Sequence, residues 1–254
     1  MAGNFVGGCG GVAVKSQTVG TLLPTRPHNT HCPPPVHTPA QETLTKPRLR
    51  GVLHQCSAPV ALCAGAWLMT EARGNRAVTA GAIFALSLVT LFTVSALYHR
   101  VTWSPAARAR MRRVDHASIF VLIFGTYTPI ALVGLPPAPG QRLLLWVGVG
   151  ALLGVLQALF WVTAPQFVTA ALAVGVGWTI VPFLSDIQQT FTTTQRALLM
   201  LGGIAYTIGA VTYATKRPRL SPQVFGYHEA FHLLTIVAAG LHFALVDALV
   251  TMGQ

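Results

Sequence analysis

Acidic side chains are nearly missing from this sequence: Asp and Glu together number six in 254 residues. Charged residues of both signs make up only 9%, against about 25% in a soluble domain. So few charges cannot cover the water-facing surface of a chain this long. Cysteine is scarce too, four in all. Cys9 and Cys32 fall near the start, and Cys56 and Cys63 fall in an apolar run. That excludes a disulfide framework and leaves them as buried or idle thiols. What the chain has instead is apolar length. Hydrophobic residues make up 52%, in runs near the roughly 20 residues that a helix needs to cross a bilayer. The class is a polytopic all-α membrane protein. The net charge of +11 would suit nucleic acid, but the basic residues stand at the ends of the apolar runs. That is a topogenic pattern, and no nucleic-acid partner is expected.

Residues 1–46 are rich in Gly, Pro, Thr and His and have no helical period. They read as a disordered tail. No signal peptide stands out in it. His28, His31, Cys32 and His37 are close in sequence, but the prolines at 33–35 and the lack of a surrounding fold argue against a metal site there. Residues 47–254 read as one membrane domain with seven apolar runs, at about 51–69, 78–98, 114–135, 143–162, 167–184, 197–214 and 226–249. The connections carry turn chemistry: Pro136-Pro137-Ala138-Pro139-Gly140, Ala164-Pro165-Gln166 and Lys216-Arg217-Pro218-Arg219. No internal repeat suggests a transporter of two matching halves.

Basic residues set the expected orientation. Lys46, Arg48 and Arg50 precede the first run; Arg100, Arg108, Arg110, Arg112 and Arg113 lie between the second and third; Lys216, Arg217 and Arg219 lie between the sixth and seventh. The alternate loops hold far fewer. The positive-inside rule then puts the N-terminus in the cytoplasm and the C-terminus outside.

Ionisable groups inside membrane spans are expensive and default to functional candidates. Ser95 and His99 lie at i and i+4 at the end of the second run. Asp115 and His116 open the third. His228, Glu229 and His232 open the seventh. All three ends face the same leaflet under the orientation above. Three imidazoles with one open position are the arrangement of a catalytic zinc site. Such a neutral donor set leaves the Zn²⁺ charge intact to activate a water. Asp115 is the candidate to hold and deprotonate that water. Ser95 would donate a hydrogen bond to the water, the substrate or Asp115. His54, His116 and His242 read as hydrogen-bonded interior groups, with His54 near enough to sit behind the site. His242 is too far along the last helix to share a metal with His232. Gly150-x-x-x-Gly154 reads as ordinary close packing.

The stretch His228-Glu229-x-x-His232 has a second reading, the zinc-peptidase pattern in which the Glu is the general base. Spacing alone leaves both open, since a Glu can bend back toward the metal. Asp115 would otherwise be an unpaired acid beside His99, whereas Glu229 can reach the interface or pair with Lys216, Arg217 or Arg219.

The set Ser95-x-x-x-His99, Asp115 and His228-x-x-x-His232 resembles the haemolysin III family, within the progestin and adipoQ receptor and alkaline ceramidase superfamily. The local text is similar as well: Ser-Ala-Leu-Tyr-His at 95–99, Arg-Val-Asp-His-Ala-Ser-Ile-Phe at 113–120 and Gly-Thr-Tyr-Thr-Pro at 125–129. The resemblance covers about residues 47–250. It implies a seven-helix bundle with zinc held by His99, His228 and His232 near the cytoplasmic face, and Asp115 and Ser95 around the bound water. Bacterial members often carry an acidic residue ahead of a Ser-x-x-His-Gly stretch in the first helix. Here the text is Arg50-Gly-Val-Leu-His54-Gln-Cys, which keeps the His and lacks the acid.

The expected protein is therefore a zinc-binding, multi-pass protein of the plasma (bacterial inner) membrane. By kinship its expected substrate is a lipid amide of the ceramide type, reached from within the bilayer. The competing readings are a cytolysin or pore, a zinc-containing receptor or sensor, and an intramembrane peptidase.

Overall fold

The computed structural model describes residues 47–218, 221 and 223–251. The expected tail at 1–46, with its His and Cys residues, lies outside them. The described chain is all-α, with seven spans long and apolar enough to cross a membrane. It is a multi-pass integral membrane protein. The helices are α1 Val52–Glu71, α2 Gly74–Arg100, α3 Pro105–Pro129, α4 Pro137–Phe160, α5 Gln166–Gly177, α6 Leu184–Thr190, α7 Thr193–Thr215 and α8 Tyr227–Thr251. An isolated bridge between Ser221 and Phe225 is the nearest approach to β structure among the described residues.

Three boundaries differ from the sequence reading. The arginine-rich stretch at 108–113 is helix rather than loop. Ser104 caps α3, its hydroxyl accepting from the Ala107 N–H at 3.4 Å, and Pro105 takes the first turn, where its missing N–H costs nothing. Ala, Arg and Met then propagate the helix. Asp115 and His116 consequently sit well inside α3 and do not open it. In the same way Pro137 and Pro139 form the first turn of α4 rather than a loop. The fifth span, expected as one helix, is broken: α5 ends at Gly177, a short 3₁₀ turn at Val181–Phe183 follows, and α6 completes the crossing. Pro182 inside that turn cannot donate to the helical ladder. The Tyr127 hydroxyl donates to the Gly177 carbonyl exposed by the break.

Helix starts elsewhere follow their caps. Thr192 and Gln195 form a reciprocal capping box on α7. At α8, the Gly226 N–H donates to the Glu229 carboxylate at 2.8 Å, which is the second half of the same device.

Helix α8 lies against α1, α2, α3 and α7, so it is the inner helix of the site-bearing half. Phe84 and Leu88 of α2 pack with Leu68 of α1 and Val246 of α8. A second core joins Ile130, Leu143, Phe183 and Leu245. Gly154 lets Phe120 of α3 close on α4: an added Cβ would fall 2.1 Å from the ring. Gly150 does the same for Val176 of α5. The pair is close packing, as expected. Cys56 and Cys63 are free thiols, as expected, but they lie exposed on the outer face of α1 rather than buried.

Candidate metal centre

Helical spacing puts His228 and His232 on one face of the first turns of α8. The last turn of α2 brings His99 to them. One ring nitrogen from each of the three lies within 4.8 Å of the others. The His99 and His228 Nε2 atoms are 3.1 Å apart. Two imidazoles on one tetrahedral Zn²⁺ would hold their nitrogens about 3.3 Å apart, given Zn–N bonds near 2.0–2.1 Å. The donor set therefore fits that ion in type, number and spacing. A proton shared between His99 and His228 would suit their distance as well, but it gives His232 no part. His99 and His232 are buried and His228 is half-buried.

Segment 50–54 wraps this cluster from the side of α1. The Arg50 Nε donates to Glu229 Oε1 at 2.5 Å. Gly51 has φ +80, and a Cβ there would stand 2.5 Å from the His99 Cβ. His54 lies flat on His232, with ring centroids 3.9 Å apart and planes within 9°, and meets the edge of Phe92. The position of His54 behind the site agrees with the sequence reading, yet neither of its ring nitrogens has a hydrogen-bond partner. That departs from the hydrogen-bonded interior group expected of it.

Asp115 does not belong to the compact three-ligand group. It lines the same cavity as His228 and His232, and Ser95 lines it too, its hydroxyl close enough to act on the Asp115 carboxyl. The structure thus brings all five candidate residues to one end of the bundle. His116 lines that cavity too. His242 lies farther along it, and its Nε2 is 3.2 Å from the Leu199 carbonyl.

Glu229 is where the sequence reading and the structure part. Its side chain is 1% exposed, and among the described residues its ion pair is with Arg50 rather than with Lys216 or Arg217. Sequence reasoning counted Arg50 only as a topogenic charge. It also did not see the cavity, about 140 Å³ of positions for the centre of a water molecule. One water needs about 10–15 Å³ on that scale, so the space takes on the order of ten waters or as many methylene groups. Its wall is mostly apolar, with Ile119, Ile123, Ala173, Val174 and Met200 among its residues. The signal was present in α8, where His228, Thr235 and His242 recur every seven residues on one face.

The sequence profile described as "Haemolysin-III related" matches residues 42–243. A protein named "Hemolysin-3 homolog" from Bacillus subtilis is 31% identical over 135 residues, 53% of this chain and 63% of that protein. The match thus spans less than two thirds of that relative's length. "Hemolysin-3" from Bacillus cereus is 27% identical over 172 residues, 67% of this chain and 74% of its own length. "Adiponectin receptor protein" from Drosophila melanogaster is 26% identical over 191 residues, 68% of this chain and 43% of that protein.

Proposed function

The chain belongs to the haemolysin III-related family, and from that premise we propose that it is a zinc-dependent hydrolase of a lipid amide, working inside the plasma membrane. One observation carries the reading: three histidines meet at one end of a mostly apolar cavity whose wall also holds an acid and a hydroxyl. His99, His228 and His232 would hold the ion. Bound there, Zn²⁺ supplies the Lewis acidity that an unactivated amide needs.

The remaining work falls to side chains. A ceramide-like substrate enters from the bilayer and lays its acyl chain along the cavity, which strips water from the reacting end. An Asp115 carboxylate oxygen takes a proton from the attacking water as its oxygen bonds the amide carbon. The same carboxylate returns that proton to the departing nitrogen as the C–N bond breaks. Ser95 donates to the carboxylate and fixes its direction. The cluster end of the bundle faces the cytoplasm under the positive-inside rule.

The names of two relatives favour membrane lysis as a second reading. The outer faces of the helices present Val60, Leu62, Leu86, Leu145 and Phe160. Those side chains suit lipid better than the wall of a water-filled pore.

Incubating the purified protein with ceramides and other lipid amides, with and without a chelator, tests the proposal. Chelator-sensitive release of fatty acid supports it. Leakage of liposomes by metal-free protein that releases no fatty acid would favour lysis instead.

A further inference from the structure

The cavity has a second polar focus that the hydrolytic reading does not use. His242 of α8 and Tyr206 of α7 both line it. Their rings are 5.6 Å apart. Gly202 makes the approach possible: a Cβ there would fall 2.3 Å from the His242 ring. The His242 Nε2 is 3.2 Å from the Leu199 carbonyl oxygen, so that nitrogen carries the proton and donates. The Nδ1 is then an acceptor, and it has no partner. The Tyr206 hydroxyl is buried and has no partner either. His242 as a whole is 7% exposed.

An acceptor and a donor left without partners in apolar surroundings each bear the desolvation cost of a hydrogen bond not made. A ligand hydroxyl between the two rings, whose centroids are 5.6 Å apart, would donate to His242 Nδ1 and accept from the Tyr206 O–H. His242 lies ten residues beyond His232 on the same helix, a rise of about 15 Å. That length matches about a dozen methylene groups of an extended chain. Thr126, Thr169, Thr207 and Thr235 also line the cavity, but their hydroxyls donate to the Leu122 carbonyl, the Gln157 side chain, the Gly203 carbonyl and the Phe231 carbonyl. They leave the Tyr206–His242 pair as the polar stop.

We propose that Tyr206 and His242 form a hydroxyl-reading subsite, which selects a lipid whose acyl chain carries a hydroxyl about a dozen carbons from its carbonyl. The inference rests on the reading that the cavity holds a lipid chain with its carbonyl at the histidine cluster. It adds which chain.

The test is direct binding of three fatty acids to the full-length, metal-loaded protein in detergent. They are dodecanoic acid and its derivatives hydroxylated at carbon twelve and at carbon three. The expected result is an affinity about tenfold higher for the twelve-hydroxy acid than for the plain acid, as two recovered hydrogen bonds would give. The three-hydroxy acid should show no such gain. In Tyr206→Phe the plain and twelve-hydroxy acids should bind alike. Equal binding of the plain and twelve-hydroxy acids to the unaltered protein would overturn the subsite, identify the pair as a water site, and leave the lipid reading standing. Failure of all three acids to bind would overturn the lipid reading, and the subsite with it. The wild-type comparison decides the matter even if the variant does not fold.

Discussion

Glu229 is held by both of its carboxylate oxygens. Oε1 accepts from the Arg50 Nε at 2.5 Å and Oε2 accepts from the Gly226 N–H at 2.8 Å. Arg50 precedes α1 and Glu229 lies in the first turn of α8, so the pair ties the chain ahead of α1 to the helix that carries His228 and His232. A general base must lie within hydrogen-bond reach of the water it deprotonates, and the Arg50 guanidinium competes with such a water for this carboxylate. This acid has a structural occupation instead, which argues against the peptidase reading of His228-Glu229-x-x-His232. We expect Glu229→Gln to lower stability by about 1.5–3 kcal/mol, the range for hydrogen bonds to charged groups, while keeping bound zinc and much of the activity. Thermal unfolding, metal content and turnover of one preparation check this. A variant of normal stability and metal content with no turnover would restore the peptidase mechanism.

Gly51 provides a separate handle on the histidine cluster. Its φ of +80 is strained for any L side chain, and its added Cβ would strike the His99 Cβ. Gly51→Ala should cost about 1–3 kcal/mol through the backbone and should displace His99 from the cluster. Zinc affinity should therefore fall although no ligand has changed. As a control, Gly74→Ala places the same change at the first residue of α2, where φ is also +80 but no atom lies within 4 Å of the new Cβ. It should lose stability alone. Zinc titration of the two variants side by side separates the effects, and equal zinc affinity in both would contradict the assigned contact.

The parts legible in the sequence were those governed by helical spacing and hydropathy. Seven apolar runs became seven spans, and the i, i+4 pairs Ser95/His99 and His228/His232 needed only the helical period to be read as faces. Other features depended on neighbours that no local pattern shows. Arg50 and Glu229 are 179 residues apart, and only folding makes them partners. Arg108 to Arg113 looked like a loop because charge was equated with the membrane edge, whereas a helix runs past that edge wherever its residues propagate well. The prolines at 137 and 139 have turn chemistry in sequence, and their place in a first turn follows only from where the helix starts. The fifth span hid its break because apolar content says nothing about continuity, and Pro182 was the one available hint.

Orientation rests on the distribution of Arg and Lys. A periplasm-active reporter fused after Gln254 should be active, and the same reporter after Lys216 should be silent. The reverse pattern would put the histidine cluster on the outer face and remove the cytoplasmic placement of the site, without touching the ligand geometry.

The division of labour between Asp115 and the histidines yields the sharpest contrast. His99, His228 and His232 form the compact group, and Asp115 stands outside it on the cavity wall with Ser95 close by. If the histidines hold the metal and Asp115 handles the proton, metal content and turnover must separate on mutation. His99→Ala, His228→Ala and His232→Ala should each lose most of the bound zinc, and turnover with it. Asp115→Asn preserves the shape and a hydrogen bond with Ser95 but cannot accept a proton. It should keep most of the zinc and lose turnover by about 10²–10⁴-fold, the usual worth of a positioned acid–base group. Ser95→Ala, which frees the carboxylate without removing it, should keep the zinc and lose less activity than Asp115→Asn. Elemental analysis and lipid-amide hydrolysis on the same five preparations read both quantities. If Asp115→Asn loses zinc as completely as the histidine variants, Asp115 is a ligand and the proton-handling role assigned to it fails. If it keeps both zinc and full turnover, the base lies elsewhere on the cavity wall, and His116 becomes the next group to change.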